Sequence, residues 1–298
     1  CSSLISINIP EGVTSIEDEA FDGCSNLMSI EIPEGVTSIG DYAFDGCTSL
    51  TSITISEGVI NIGEGAFYGC SSLKDITIPE GVTSIGERAF YGCSTLKSIT
   101  IPVSVTSIGS KVFTGCISLK NINIPKEVKN IDENAISDRT IIFTKSNSEG
   151  HRYAEEGEQG YIIDDVAPTV TFIPNTGENI QKEHSVTIQV QDNMEEVKVN
   201  ENSLKYQWTQ SETEPAKESF IESFENGQTI TKNTGDGVWY LWVYAEDDVG
   251  NETITRSEGL NFDNTAPNGK IEYSTKEPTK ENVTVTITSN EEIQEVEG

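Results

Sequence analysis

The residues best equipped for chemistry are six cysteines, Cys1, Cys24, Cys47, Cys70, Cys93 and Cys116, each 23 residues after the last. Thiols can bridge, ligate zinc or act as nucleophiles, and each use sets a geometric condition. Zinc sites draw on ligands about two to four residues apart or on converging loops, which an unbroken period does not supply. A fixed period of this length is instead the mark of a solenoid, in which identical residues stack on their copies above and below. Neighbouring coils then lie roughly 4.8 Å apart with parallel side chains, whereas a disulfide needs Cβ atoms roughly 3.8 Å apart and converging. The expected state is a column of buried, reduced thiols. The even count, which in an exported chain favours bridges, keeps bridging or metal binding as the competing reading.

Other chemistry finds less support. His151 and His184 fall in different segments, and no Ser-His-Asp or Cys-His set can be assembled around them. Carboxylates are abundant but fall mostly on turns and outer faces, with no cleft to pair two of them for acid–base work. The chain is therefore expected to be non-catalytic and to need no cofactor. Calcium takes gathered oxygen ligands, and Asp164-Asp165, Glu246-Asp247-Asp248 and Asp263-Asn264 lie where they could meet at segment boundaries. None has EF-hand spacing and the chain is acidic everywhere, so solvated turns are favoured and no metal site is assigned. Asn251-Glu252-Thr253 and Asn282-Val283-Thr284 match the glycosylation pattern and are read as chance.

The formal charge of -30 over 298 residues is shared: 7 basic against 18 acidic groups in residues 1–138, and 12 against 31 in the rest. Nucleic acid and anionic membrane surfaces both need a Lys/Arg footprint, so neither is an expected partner. No apolar run approaches the roughly 18 residues of a membrane helix, so no membrane insertion is expected. The chain opens at Cys1 inside one repeat and closes at Gly298 inside another module. Such ends are expected of a piece of a longer protein, with signal and anchor elsewhere.

The cysteines must be held by the coils that repeat with them. Aligned on the period, leucine holds a column from Leu4 to Leu119, and isoleucines hold two more, Ile7 to Ile122 and Ile9 to Ile124. Two isoleucines at i and i+2 have the strand period and share the core face. Pro10, Pro33, Pro79, Pro102 and Pro125 end that strand. A β-branched pair, Val13 and Ile16 in the first coil and Val128 and Ile131 in the last, predicts a short strand on the opposite wall. Ala20-Phe21, Ala43-Phe44, Ala66-Phe67 and Ala89-Phe90, each followed by x-Gly-Cys, predict a single helical turn with its phenylalanine in the core. The next step of the period after Cys116 lands on Arg139, which ends the repeats.

These columns resemble the BspA-like leucine-rich repeats of 23 residues found in surface proteins of bacteria and some protists. The resemblance covers residues 1–138, six coils with the last degenerate, and residues 139–165 look like the family's closing unit of strand, short helix and strand. A second resemblance begins after Asp164-Asp165. The phrase Gly237-Val238-Trp239-Tyr240 through Ala245-Glu246-Asp247-Asp248-Val249-Gly250-Asn251, closing on Phe262-Asp263-Asn264-Thr265-Ala266-Pro267, resembles bacterial immunoglobulin-like modules. One such β-sandwich is expected over 166–265, with an incomplete second over 266–298. The fold class expected is mainly β: a leucine-rich-repeat solenoid with a parallel sheet and single helical turns, a C-terminal cap, then the sandwich and the start of another.

Leucine-rich repeats commonly bind through the strand face, so the solvent-facing positions between the core isoleucines are the candidate site: Ser29, Glu31, Ser52, Thr54, Asp75, Thr77, Ser98, Thr100, Asn121 and Asn123. They form a polar ribbon without the Trp, Tyr or Arg of a hot spot, so a solubilising face competes with a weak or multivalent contact surface. Tyr206, Trp208, Trp239, Tyr240 and Trp242 would offer a glycan or calcium site on the second half, although core packing is favoured for them. The resemblances imply a non-catalytic extracellular binding or adhesion protein of a bacterial surface, with a protein or cell-surface ligand. The alternative is an accessory region of a larger secreted enzyme whose catalytic domain lies outside this sequence.

Overall fold

A computed structural model of the chain describes residues 1–175, 180–265, 269–273 and 285–289. In the first half, two-residue strands Ser15–Ile16, Ser38–Ile39, Asn61–Ile62, Ser84–Ile85, Ser107–Ile108 and Asn130–Ile131 form one parallel sheet in sequence order. Each pairs with its copy 23 residues on, Ile16 with Ile39 and Ile39 with Ile62. The opposite wall carries Ser29–Glu31 paired with Ser52–Thr54, Asp75–Thr77 with Ser98–Thr100, and Asn121–Ile124 with Ile141–Thr144. Their three-residue pattern is exposed, buried, exposed, as a strand period of two requires. The leucine, isoleucine, valine, phenylalanine and cysteine columns between the walls form one continuous core. The first coil is the exception: Cys1 and Ile7 are exposed, and Leu4, Val13 and Phe21 are half-buried.

The Ala-Phe segment is not the expected helical turn. Its N–H groups divide between two coils: Phe44 N donates to Ala66 O of the next coil, while Asp45 N and Cys47 N close turns onto Tyr42 O and Phe44 O. The residue opening each segment is left-handed, at Glu19, Tyr42, Gly65, Arg88, Lys111 and Asn134, with φ between 54° and 57°. A helix would need right-handed φ throughout and would send its N–H groups back along its own axis, leaving the next coil unbonded. Stacking favours the turns because they extend a hydrogen-bond ladder through this wall as well. The phenylalanines do line the core, with rings of Phe21, Phe44, Phe67, Phe90 and Phe113 stacked at centroid spacings of 5.1–5.8 Å.

After the coils, strands Ile141–Thr144 and Tyr161–Ile163 extend the parallel wall, and the helix Glu149–Glu156 lies between them. Ser148 Oγ accepts the His151 N–H at 3.2 Å, satisfying one of the helix's free donors. The second half contains two antiparallel sheets. Thr169–Ile173, His184–Gln191 and Thr229–Lys232 form one; Glu222–Ser223, Lys205–Thr209, Gly237–Glu246 and Glu252–Arg256 form the other, joined by Leu260–Phe262. Phe172, Val186, Ile188 and Val190 from the first pack on Leu241, Val243, Ala245 and Phe262 from the second. Downstream, Gly269–Tyr273 pairs with Val285–Ser289. The rest of the expected second module lies outside the described residues.

Candidate functional site

The structure lines up the ribbon residue on residue: Ser29 beside Ser52, Glu31 beside Thr54, Asp75 beside Ser98, Thr77 beside Thr100. These eight side chains are exposed, and the isoleucine between each pair is buried and fixes the outward direction of its neighbours. Asn121 and Asn123 are different. Both are half-buried, and Asn123 Nδ2 donates to Glu196 O at 3.0 Å, so the last coil's part of the ribbon carries a contact to the second half. Nothing in the repeat announces this, because the covering residues lie more than 70 positions downstream.

The open end of the ribbon is acidic. A groove beside Asn8, Glu31 and Thr54 is rimmed by Glu11, Glu34 and Glu57, three copies of the glutamate that opens the turn after the strand. The next copy, Glu80, accepts from Asn202 Nδ2 at 3.2 Å, and burial pushes its carboxyl up against the hydrogen bond's opposing effect. The free part of the face is therefore a hydroxyl ribbon with a negative border, suited to a partner carrying basic groups.

Cys24, Cys47, Cys70, Cys93 and Cys116 are buried, Cys1 is exposed, and all six are unbridged. The thiols have a structural use that sequence reasoning missed. Cys47 Sγ donates to Phe21 O, Cys70 to Phe44 O, Cys93 to Phe67 O and Cys116 to Phe90 O, each at 3.2 Å. Sulfur thus ties each coil to the phenylalanine turn of the one before. Burial pushes the Cys47 and Cys116 thiols up to about 12, and those of Cys70 and Cys93 well above the ordinary range. The thiolate is the reactive form, so these groups are inert at neutral pH. A thiol reagent is expected to titrate Cys1 quickly in the native protein and the other five only after unfolding. Two or more fast thiols would contradict the buried ladder.

Residues 1–102 and 62–147 match the family model described as BspA type leucine rich repeat region, in six copies. The coils are BspA-type repeats. The match stops at residue 147, so it bears on the coils and not on the second half. No curated protein matches the chain. Among solved structures, a T. pallidum leucine rich repeat protein is 29% identical, over 47% of this chain and 73% of that one, with a TM-score of 0.40. A leucine rich cell surface protein from Faecalibacterium prausnitzii is 46% identical over 40% of this chain and 31% of its own, with a TM-score of 0.39. The pneumococcal vaccine antigen PcpA is 25% identical over 54% of this chain and 42% of its own, with a TM-score of 0.44. The chain thus spans less than half of the latter two.

Outside the BspA-type repeats, most candidate residues prove structural. His151 lies in the helix Glu149–Glu156, with Nδ1 accepting from Asn147 N at 3.1 Å, and His184 Nε2 bonds Asn261 O at 2.8 Å. Tyr240 and Trp242 are buried with Tyr244 and Phe220 on one face of their strand, while Tyr206, Trp208 and Trp239 pack on the main core of the second half. Tyr240 OH donates to Glu212 and Trp242 Nε1 to Ser211 O, which occupies their polar ends. Asn251, part of a glycosylation pattern, is buried. Of the acidic runs, Asp165 accepts from Ser146 N, and Glu246 faces Lys126 and Lys217 at 3.8 Å. Asp263-Asn264 lie near Asp236, whose Oδ1 accepts from Asn264 N at 2.6 Å. Asp164 and Asp247, separated by 83 positions in sequence, meet in a buried cluster.

Proposed function

We propose that this chain is a non-catalytic extracellular binding or adhesion protein of a bacterial surface, with the BspA-type solenoid as its protein-interaction unit. The second half is an immunoglobulin-like module over about 166–265 that carries it. One observation supports the reading most: a row of exposed polar side chains from Ser29 to Thr100, carried on two parallel strand pairs whose buried isoleucines fix the outward direction. Such a face presents regularly spaced hydroxyls and carboxylates at little ordering cost, which favours an extended, multivalent contact. Its acidic border selects a partner with Lys/Arg groups and makes association weaken as salt rises. The ribbon residues in contact are Ser29, Glu31, Ser52, Thr54, Asp75, Thr77, Ser98 and Thr100; Asn121 and Asn123 serve the join to the second half.

The test is binding of the whole chain to immobilised extracellular-matrix and cell-surface proteins at low and high salt, alongside a Thr54→Arg/Thr77→Arg variant. At least one partner is expected to bind, more weakly at high salt. The variant should lose tenfold or more in affinity with an unchanged melting temperature. Silence across the panel would refute adhesion, and undiminished binding by the variant would refute the ribbon as its site.

A further inference from the structure

Three strand ends meet where the cap abuts the second half. Asp164 follows Tyr161–Ile163, Asp192 follows His184–Gln191, and Asp247 follows Gly237–Glu246. Each offers a carboxylate oxygen, and these oxygens all lie within 4.8 Å of one another. Asp164 and Asp247 are 0% exposed and Asn251 is 1% exposed. The site is built to hold them. Asp164 Oδ1 accepts from Val166 N at 3.0 Å, Asp192 Oδ1 from Met194 N at 2.9 Å, and Asp247 Oδ1 from the N–H groups of Val249 and Asn251 at 2.9 Å. Asn251 Nδ2 donates to Asp164 O at 3.0 Å and to Asp247 Oδ2 at 2.8 Å, which fixes the amide's orientation because both partners are acceptors.

What these bonds leave over points to a ligand. Asp164 Oδ2, Asp192 Oδ2 and Asn251 Oδ1 are buried and have no partner. Buried oxygens are almost always satisfied, and buried carboxylates are paired or coordinate metal. Among the described residues none of the three aspartates forms an ion pair. Lys126, which reaches the same turn, bonds Gly250 O and Glu252 instead. An apolar plug of Phe143, Val197 and Val249 stands in the same join.

We propose that Asp164, Asp192 and Asp247, with the amide oxygen of Asn251, bind one calcium ion that locks the solenoid's cap to the second half. All donors are hard oxygens, which excludes the softer metals that prefer nitrogen or sulfur. Ligands about 2.3–2.6 Å from a shared ion stand no more than roughly 5 Å apart, which the cluster meets. Calcium fits better than magnesium, because a several-sided protein cage suits its flexible coordination while magnesium keeps most of its water. Four protein ligands predict a dissociation constant of roughly 10⁻⁴ to 10⁻³ M, as in extracellular modules. The inference goes beyond the binding reading and stands or falls independently of it.

Calorimetric titration of the EDTA-treated whole chain with calcium chloride should show one ion per chain, and melting should shift upward with calcium and much less with equal magnesium. Asp192→Asn is expected to weaken binding at least tenfold, whereas Asp263→Asn, away from the cluster, should leave it unchanged. Hydrogen exchange on the wild-type chain localises the ion without any substitution: segments around 164–166, 192–194 and 247–251 should slow together. Absence of heat and of a melting shift would overturn the proposal. So would calcium affinity untouched by Asp192→Asn, or slowed exchange confined to other segments.

Discussion

Phe67→Ala is expected to cost about 3–5 kcal/mol, the range for removing a buried aromatic ring that leaves a cavity. Phe67 is fully buried, and its ring is sandwiched between Phe44 and Phe90 at 5.3 Å on each side, within 6° of parallel. How much a site collapses after truncation decides where in that range the cost falls. Here collapse is resisted. Phe67 N donates to Ala89 O and Phe44 N to Ala66 O, both at 2.8 Å, so the coils above and below are held at their spacing by backbone bonds. Phe21, at the end of the stack, has one ring neighbour and is only half-buried, so Phe21→Ala should cost about half as much. Urea unfolding followed by circular dichroism separates the two. A Phe67→Ala penalty below about 1 kcal/mol, or one equal to that of Phe21→Ala, would mean that the stack does not act as the spine.

The coils are legible because the leucine, isoleucine and cysteine columns are each written six times. A single Ser-Ile-Thr says little, but its recurrence at a fixed interval fixes register, wall and facing together. The Ala-Phe segment shows where that reading fails. A polar opening, an aromatic and a closing glycine fit a helical turn and a run of bonded turns alike, and the decision belongs to neighbouring coils, whose carbonyls at Ala43, Ala66 and Ala89 take the phenylalanine N–H groups. The join between the halves was half visible. Asp164 and Asp247 stood out beside boundary motifs, whereas Asp192, in Gln191-Asp192-Asn193, has the appearance of any turn aspartate. Likewise, Asn123 reads as one more ribbon residue until Glu196 is placed over it. Local pattern specifies what repeats; contacts between unlike segments leave no period to read.

Contacts between unlike segments also make up the join. Lys126 of the last coil contacts Gly250 O and Glu252, Asn202 reaches Glu80, and Asn251 reaches Asp164 O. These are polar, spaced contacts of the kind that restrain a hinge without welding it. The buried aspartates lie among them, so an ion there would act where orientation is set, and the ribbon's presentation to a partner would depend on it.

Gly86→Ala is expected to destabilise by roughly 2–3 kcal/mol, the upper part of the overpacking range. A Cβ on Gly86 would stand 2.6 Å from Glu64 N and Gly63 C and 2.7 Å from Gly63 O. Those contacts are roughly an ångström shorter than a carbon tolerates. The obstructing atoms are backbone, so no rotamer change relieves them. Relief requires the two coils to part, and that strains the Gly86 N to Ile62 O bond at 2.9 Å and the pairing of Ile62 with Ile85 beside it. The same obstruction recurs at Gly40, Gly63 and Gly109, where a Cβ would lie 2.6–2.7 Å from the nearest backbone atom of the coil beneath. The ends of the column support the argument, because Glu17 and Asp132 occupy the equivalent positions. Glu17 follows the first strand of this wall and Asp132 follows the last, and an end coil can tilt outward where an inner one is clamped from both sides. Asp132→Gly should accordingly change stability by less than about 1 kcal/mol, the backbone-entropy cost of glycine alone. A urea midpoint for Gly86→Ala indistinguishable from the parent would show that the coils part freely, and the ladder would then not be the element that fixes the solenoid's rise.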